Sequence, residues 1–262
     1  MQQAKSVVIA IAMIVGIAFT TSSVMAAEGM YSRGNGNKAN GENIFRNGKG
    51  DVPACTSCHG ETGTGNDELG TPMIAGQFFT FLFKQLEDYA SDKREDTTMF
   101  VMNANAKGLS RQDRIDVATY LASLRPTDLG SDLNALKEAG VEVGIPYKGR
   151  ALVEYGSPIR NDGYDAPKDL GSPGKGVPAC KSCHGYAGRG APPVYPMIGK
   201  QRYVYLVNQL KKWRDGSRAN DPMGQMQAVA KKMSDEDIHN AAAYLTNASP
   251  LTNGNFFRPY MK

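Results

Sequence analysis

Cys55-Thr56-Ser57-Cys58-His59 and Cys180-Lys181-Ser182-Cys183-His184 contain all four cysteines of the 262-residue chain and two of its three histidines. Four cysteines in an exported protein ordinarily suggest two disulfides. The histidine that follows each pair changes the reading, because Cys-x-x-Cys-His is the attachment sequence of a c-type haem. The two thiols form thioethers with the vinyl groups, and the adjacent imidazole becomes the proximal iron ligand. One helical turn suits this chemistry: it presents both sulfurs to one edge of a flat ring while the histidine points at its centre. A closed zinc site would have to draw ligands from both motifs together, and a thiol–disulfide redox pair does not require histidine in both copies. Cys55, Cys58, His59, Cys180, Cys183 and His184 are therefore read as cofactor-binding residues, with two covalent haem c groups expected.

Working outward, Pro72-Met73-Ile74-Ala75-Gly76-Gln77 recurs as Pro196-Met197-Ile198-Gly199-Lys200-Gln201, an offset of 124. The same offset carries Gln85 to Gln209, Arg94 to Arg218, Met102 to Met226, Ser110 to Ser234 and Tyr120 to Tyr244, while the Cys and His residues are offset by 125. The chain is thus a tandem duplication, expected to form an all-α protein of two small domains with one haem each. Phe79, Leu82, Leu86 and Tyr89 form a helical stripe that Tyr203, Leu206, Leu210 and Trp213 repeat. Ser110 with Asp113, and Ser234 with Asp237, read as helix starts. A short helix is expected before each motif, near 41–46 and 149–154. These signals place the domains at 27–124 and 149–262. Between them lies a Pro/Gly-containing linker, 125–148, with little core of its own and a short helix near 132–139. The 156–176 loop has no counterpart in the first half.

The composition, 41% hydrophobic and 21% charged, is globular. A net charge of +4 without a basic block argues against a nucleic-acid partner. Residues 1–26 read as a secretory signal: Lys5, an apolar run from Val7 to Phe19, then Val24-Met25-Ala26 before the cleavage point. The competing reading is an uncleaved anchor helix from Val7 to Ala27. Both put the remainder outside the cytoplasm, in the periplasm.

The sixth iron position decides the function. His239 is the one histidine left, so two bis-histidine haems are excluded. It falls in the final helix opposite Ile115 and reads as an ordinary helix residue. Methionine is the other common distal ligand. Each half offers three candidates, Met73, Met99 and Met102, then Met197, Met223 and Met226. Met73 and Met197 lie in the segment that wraps the proximal side and read as packing residues. Met99/Met102 and Met223/Met226 fall in a loop able to return across the opposite face, and spacing does not separate the members of each pair.

The ordered series of motif, Pro-x-Ile-x-x-Gln, Gln-Leu helix, Arg-containing loop, Met and Ser-x-x-Asp resembles the dihaem cytochromes of the cytochrome c4 family over the whole mature chain. That resemblance implies two class I cytochrome c-like domains. It also implies Met102 and Met226 as distal ligands, beside His59 and His184 as the proximal ones. It further implies that the Pro72 and Pro196 carbonyls accept hydrogen bonds from His59 and His184. Arg94 and Arg218, with Tyr89 and Trp213, are implied near the haem propionates. The departures are the 156–176 loop and an aromatic tail, Phe256 to Tyr260.

With histidine and methionine on both irons no position remains for a substrate, so the expected function is electron carriage between redox proteins. The partners expected are a membrane cytochrome complex and a terminal oxidase of a respiratory chain. Two alternatives stay open. One is the electron-accepting subunit of a larger dehydrogenase, such as a flavocytochrome c sulfide dehydrogenase. The other is a catalytic dihaem enzyme, a thiosulfate dehydrogenase or a peroxidase. Charge is uneven: residues 27–124 carry 10 Lys+Arg against 13 Asp+Glu, and residues 149–262 carry 16 against 9. Such a dipole would steer different partners to different ends. Lys211, Lys212, Lys231 and Lys232 are the expected basic docking charges, and Asp92, Glu95 and Asp96 their acidic counterparts.

Overall fold

The computed structural model describes residues 35–157 and 176–249. The signal segment, most of the 156–176 loop and the aromatic tail lie outside the described residues. Helices account for the regular structure: α1 (Lys38–Asn47), α2 (Thr56–His59), α3 (Phe79–Ala90), α4 (Met102–Gly108), α5 (Arg111–Ser123), α6 (Leu133–Glu138), α7 (Pro146–Tyr155), α8 (Lys181–His184), α9 (Tyr203–Asp215), α10 (Gln225–Ala230) and α11 (Asp235–Leu245). Among the described residues strand pairing is limited to four isolated bridges, and no helix is long and apolar enough to cross a membrane.

Each half is built on one tight helix crossing, α1 on α5 and α7 on α11. Gly41 and Gly149 make it possible, because a Cβ there would stand 2.1 Å from the Asp116 carbonyl oxygen and 1.8 Å from that of Asn240. The α5 and α11 helices begin in matching capping boxes. Ser110 and Ser234 accept from the backbone N–H of Asp113 and Asp237, whose carboxylates accept in return from the serine N–H groups. Asp113 also holds Lys49 at 2.7 Å. Burial works against its ionisation, yet Lys49 and the other donors bring its carboxyl down to about 2.

The crossing encloses Ile44, Phe45, Leu82, Val117 and Leu121 in the first half, and Leu152, Val153, Leu206, Ile238 and Leu245 in the second. The stripes read from sequence supply α3 and α9 to these cores. Residues 131–145 belong with the second half. Leu133, Leu136, Val141 and Val143 pack on its core, Ser131 N–H donates to Thr246 Oγ1, and Ile145 N–H donates to Asn240 Oδ1. His239 is part of this attachment: it is buried, with Nδ1 2.8 Å from the Tyr203 hydroxyl, which itself donates to the Glu142 carbonyl. The segment between the halves is therefore a strap on the second core.

The extra loop of the second half falls where the first half has a short turn after its first helix. In the first half a bridge joins Lys49 to Val52 directly after α1. In the second, Ser157 and Val177 form the same bridge after α7. Gly48 and Gly156, at φ 76° and 72°, turn the chain there in the left-handed region that disfavours a side chain.

Candidate haem and electron-transfer site

The attachment motifs form single helical turns, α2 and α8. His59 N–H and His184 N–H donate to the carbonyls of Cys55 and Cys180, each at 2.9 Å. First cysteine and histidine therefore lie one turn apart on one side of the chain. None of the four cysteines is joined to another in a disulfide. Burial pushes the thiols of Cys55 and Cys180 up to about 11. His59 and His184 are each 7% exposed. Their Nδ1 atoms lie 3.0 Å from the Pro72 carbonyl oxygen and 2.9 Å from that of Pro196. An imidazole that donates from Nδ1 keeps the lone pair of Nε2 for a metal. Burial also lowers both histidines below their ordinary value, favouring that neutral form.

The candidate distal methionines occupy different surroundings. Met73 and Met197 are buried, and their backbone groups are engaged across the contact between the halves. Met223 is 92% exposed. Met102 opens α4 and Met226 lies in the first turn of α10, both half-buried. These two short helices stand where the sequence reading had only a loop. In the first half the approach to Met102 is organised by Asp96, whose carboxylate accepts from the N–H groups of Thr98, Met99, Val101 and Met102 at 2.9–3.3 Å. Burial opposes ionisation, but these four donors hold the Asp96 carboxyl below its ordinary value.

The two halves meet through paired polar contacts. Gln201 Oε1 accepts from Met73 N–H at 2.7 Å, and Gln201 Nε2 donates to the Met73 carbonyl at 2.9 Å. Gln77 does the same to Met197, at 3.0 and 2.8 Å. Asp67 Oδ1 accepts from Val204 N–H at the start of α9, and Arg202 lies 3.8 Å from the same carboxylate.

Alongside, Arg94 and Arg218 are 5% and 6% exposed. Arg94 donates to Gln85 Oε1 and Gln209 Oε1 at 2.6 and 2.9 Å. Arg218 donates to the same two oxygens at 3.1 and 2.7 Å. Each guanidinium also lies over an aromatic ring, Arg94 on Tyr89 at 4.6 Å and Arg218 on Trp213 at 4.1 Å. Burial, then the like charge of Arg94, bring Arg218 down to about 10. Burial opposes ionisation of the Tyr205 phenol, yet the two guanidiniums pull it below its ordinary value. Among the described residues no carboxylate pairs with either arginine. Asp96 acts on Arg94 through its charge without pairing with it, so neither buried guanidinium has a direct carboxylate partner, an arrangement that can receive an anion.

Two cysteines within one helical turn, a buried imidazole whose Nδ1 faces a carbonyl, and buried guanidiniums without a directly paired carboxylate fit a covalent haem in each half. Among the described residues no cluster of three or more His, Cys, Asp or Glu would hold a metal by itself. Two residues expected among the docking charges are engaged inside the molecule instead. Lys212 Nζ donates to Thr98 Oγ1 of the other half at 2.6 Å, and Asp96 is bound by its own loop. Charge counts do not see this, because Lys212 lies on the side of α9 that meets the first half.

The class is that of a tandem all-α cytochrome with one covalent haem per half. The cytochrome c family pattern matches residues 38–125 and 173–249, and the chain belongs to that family. It is 32% identical to the thiosulfate dehydrogenase electron acceptor of Thiomonas intermedia over 202 residues, covering 77% of this chain and 81% of that protein. The solved structure of thiosulfate dehydrogenase from Marichromatium purpuratum superposes with a TM-score of 0.68 at 28% identity, over 83% of this chain and 42% of that one. Reduced cytochrome c4 from Pseudomonas stutzeri gives 0.62 at 28% identity, over 82% and 100%. The chain is a dihaem, cytochrome c4-like protein of electron transport.

Proposed function

We propose that this protein is a periplasmic dihaem carrier that accepts electrons from a thiosulfate dehydrogenase and passes them to a further redox protein on the way to a terminal oxidase. The observation that carries the proposal is the pair of attachment motifs joined by one buried, reciprocal contact, which would hold two redox centres together in a single chain. When bound, the two haems supply reversible one-electron chemistry at iron. His59 and His184 would ligate through Nε2, oriented by the Pro72 and Pro196 carbonyls. Met102 and Met226 would complete the axial sets, leaving no open position for a substrate. Arg94 and Arg218 would neutralise the propionates at the contact between the halves, a role supported by their burial without a directly paired carboxylate.

The names of the relatives support the donor. The likeness to cytochrome c4 supports a carrier that works between other proteins. The enzyme reading draws support from the solved thiosulfate dehydrogenase, of which this chain matches 42%.

A redox titration followed by visible and near-infrared spectra, with and without a thiosulfate dehydrogenase, tests the proposal. Two low-spin haems with methionine–iron charge-transfer bands are expected, reduced by thiosulfate only when the dehydrogenase is present. Reduction by thiosulfate alone, or a high-spin haem that binds cyanide rapidly, would overturn the carrier reading in favour of an enzyme. A stable stoichiometric partner on purification would point to a subunit of a larger dehydrogenase.

A further inference from the structure

The repeated Pro-x-Ile-x-x-Gln segment has a use that haem attachment does not exhaust. In the first half the Pro72 carbonyl faces His59 Nδ1 at 3.0 Å. That carbonyl and the Met73 N–H belong to one planar peptide group. The Met73 N–H donates at 2.7 Å to Gln201 of the other half. The second half is arranged alike. The Pro196 carbonyl faces His184 Nδ1 at 2.9 Å, and the N–H of the same peptide, that of Met197, donates to Gln77 at 3.0 Å. Gln77 and Gln201 are 3% and 5% exposed, so water does not compete for these bonds.

We infer that each glutamine tunes the haem of the opposite half, acting as a positioning residue through one peptide group and one proximal histidine. An acceptor placed on a peptide N–H polarises the group and makes its carbonyl a stronger acceptor. A stronger acceptor draws the Nδ1 proton outward and makes the ligating imidazole more basic. A more basic ligand favours ferric iron and lowers the potential. Gln201 would therefore lower the potential of the haem held by His59, and Gln77 that of the haem held by His184. The inference rests on the axial roles proposed above for the two histidines.

The crosswise pattern is what separates tuning from simple packing, because loosening the contact between the halves would disturb both haems together. Gln201→Met and Gln77→Met keep much of the volume and remove the acceptor. In the holoprotein, Gln201→Met is expected to raise the potential of the first-half haem alone. The reduced-to-oxidised ratio at fixed potential should change on the order of threefold, about 28 mV at 59 mV per tenfold for one electron. It should also move the Nδ1–H resonance of His59 upfield in the reduced protein. Gln77→Met should do the same to the second-half haem and His184.

Gln201→Glu retains an acceptor for Met73 N–H, so it should leave the His59 Nδ1–H resonance at or downfield of its original position. This variant also gives a reading if Gln201→Met fails to fold. Equal shifts of both haems, a shift confined to the variant's own half, or no shift would overturn the inference. A parent protein without two low-spin, histidine-ligated haems would instead overturn the reading beneath it.

Discussion

The two halves share helices, capping boxes and attachment turns, yet they treat the segment before the candidate distal methionine differently. In the first half Asp96 collects four backbone N–H groups around Met102. The repeat places Asn220 at that position, and its amide instead crosses the contact between halves to Gln85 and Asp88. A second contrast lies beneath the haem-attachment turn. Thr71 Oγ1 donates to the Cys58 carbonyl at 2.6 Å, whereas its repeat partner Tyr195 meets the edge of His184, with ring centroids 6.0 Å apart. The repeat matches at the attachment turns and differs at residues beside them. The two halves thereby differ in the groups around their attachment turns and candidate distal methionines.

The largest expected effect tests whether the halves load independently. Cys58→Ala or Cys183→Ala should each compromise attachment in one half, so that the pyridine haemochrome spectrum and mass show one covalent haem in place of two. Recovery of noncovalent haem from both halves would break the comparison at its root. Next in size, Met102→Ala and Met226→Ala should each open one iron and lower that haem's potential, with loss of one charge-transfer band and little change at the other haem. Loss of the band from Met99→Ala or Met223→Ala would place the ligand one turn away.

Asp96→Asn makes the first half resemble the second and should sharpen the contrast between them. Removing a negative charge near the site should raise the first haem's potential toward that of the second. The effect should be on the order of threefold to tenfold in the reduced-to-oxidised ratio, read by spectroelectrochemistry.

Acid stability offers a further distinction. The Asp113 carboxyl is depressed to about 2, so the stability it contributes is present above the ordinary carboxylate value near 4. It is lost as pH falls from there through about 2. Asp113→Asn should therefore lower the melting temperature at pH 7, and the difference from the parent should shrink as the pH is taken to 2. A difference that stays constant across that range would assign the effect to packing.

The smallest expected effect concerns docking. Lys231 and Lys232 are exposed, as are Asp92 and Glu95, whereas Lys212 and Asp96 are committed within the molecule. Acidic substitution of Lys231 and Lys232 should slow transfer to an acidic partner more than changes at Asp92 and Glu95. Salt should erase the difference, since exposed charges are screened beyond about 8–10 Å. Equal, salt-insensitive rates would remove the directional role of the charge asymmetry.

Sequence alone determined the number of haems, the duplication and most of the helices. Cys-x-x-Cys-His is a chemical requirement written within five residues. Stripes such as Phe79–Leu82–Leu86–Tyr89, and caps such as Ser110 with Asp113, are likewise signals within one to three turns of helix. Tertiary structure decided what lies between the halves. Gln201 and Met73 are 128 residues apart and Arg218 and Gln85 are 133 apart, and the repeat offset pairs each residue with its own copy, not with its neighbour across the contact. The engagement of Lys212 by Thr98, the clustering of Arg94 with Arg218, and the attachment of residues 131–145 to the second core follow from how folded surfaces fit. That fit depends on shape and desolvation summed over many distant residues, which no local periodicity records.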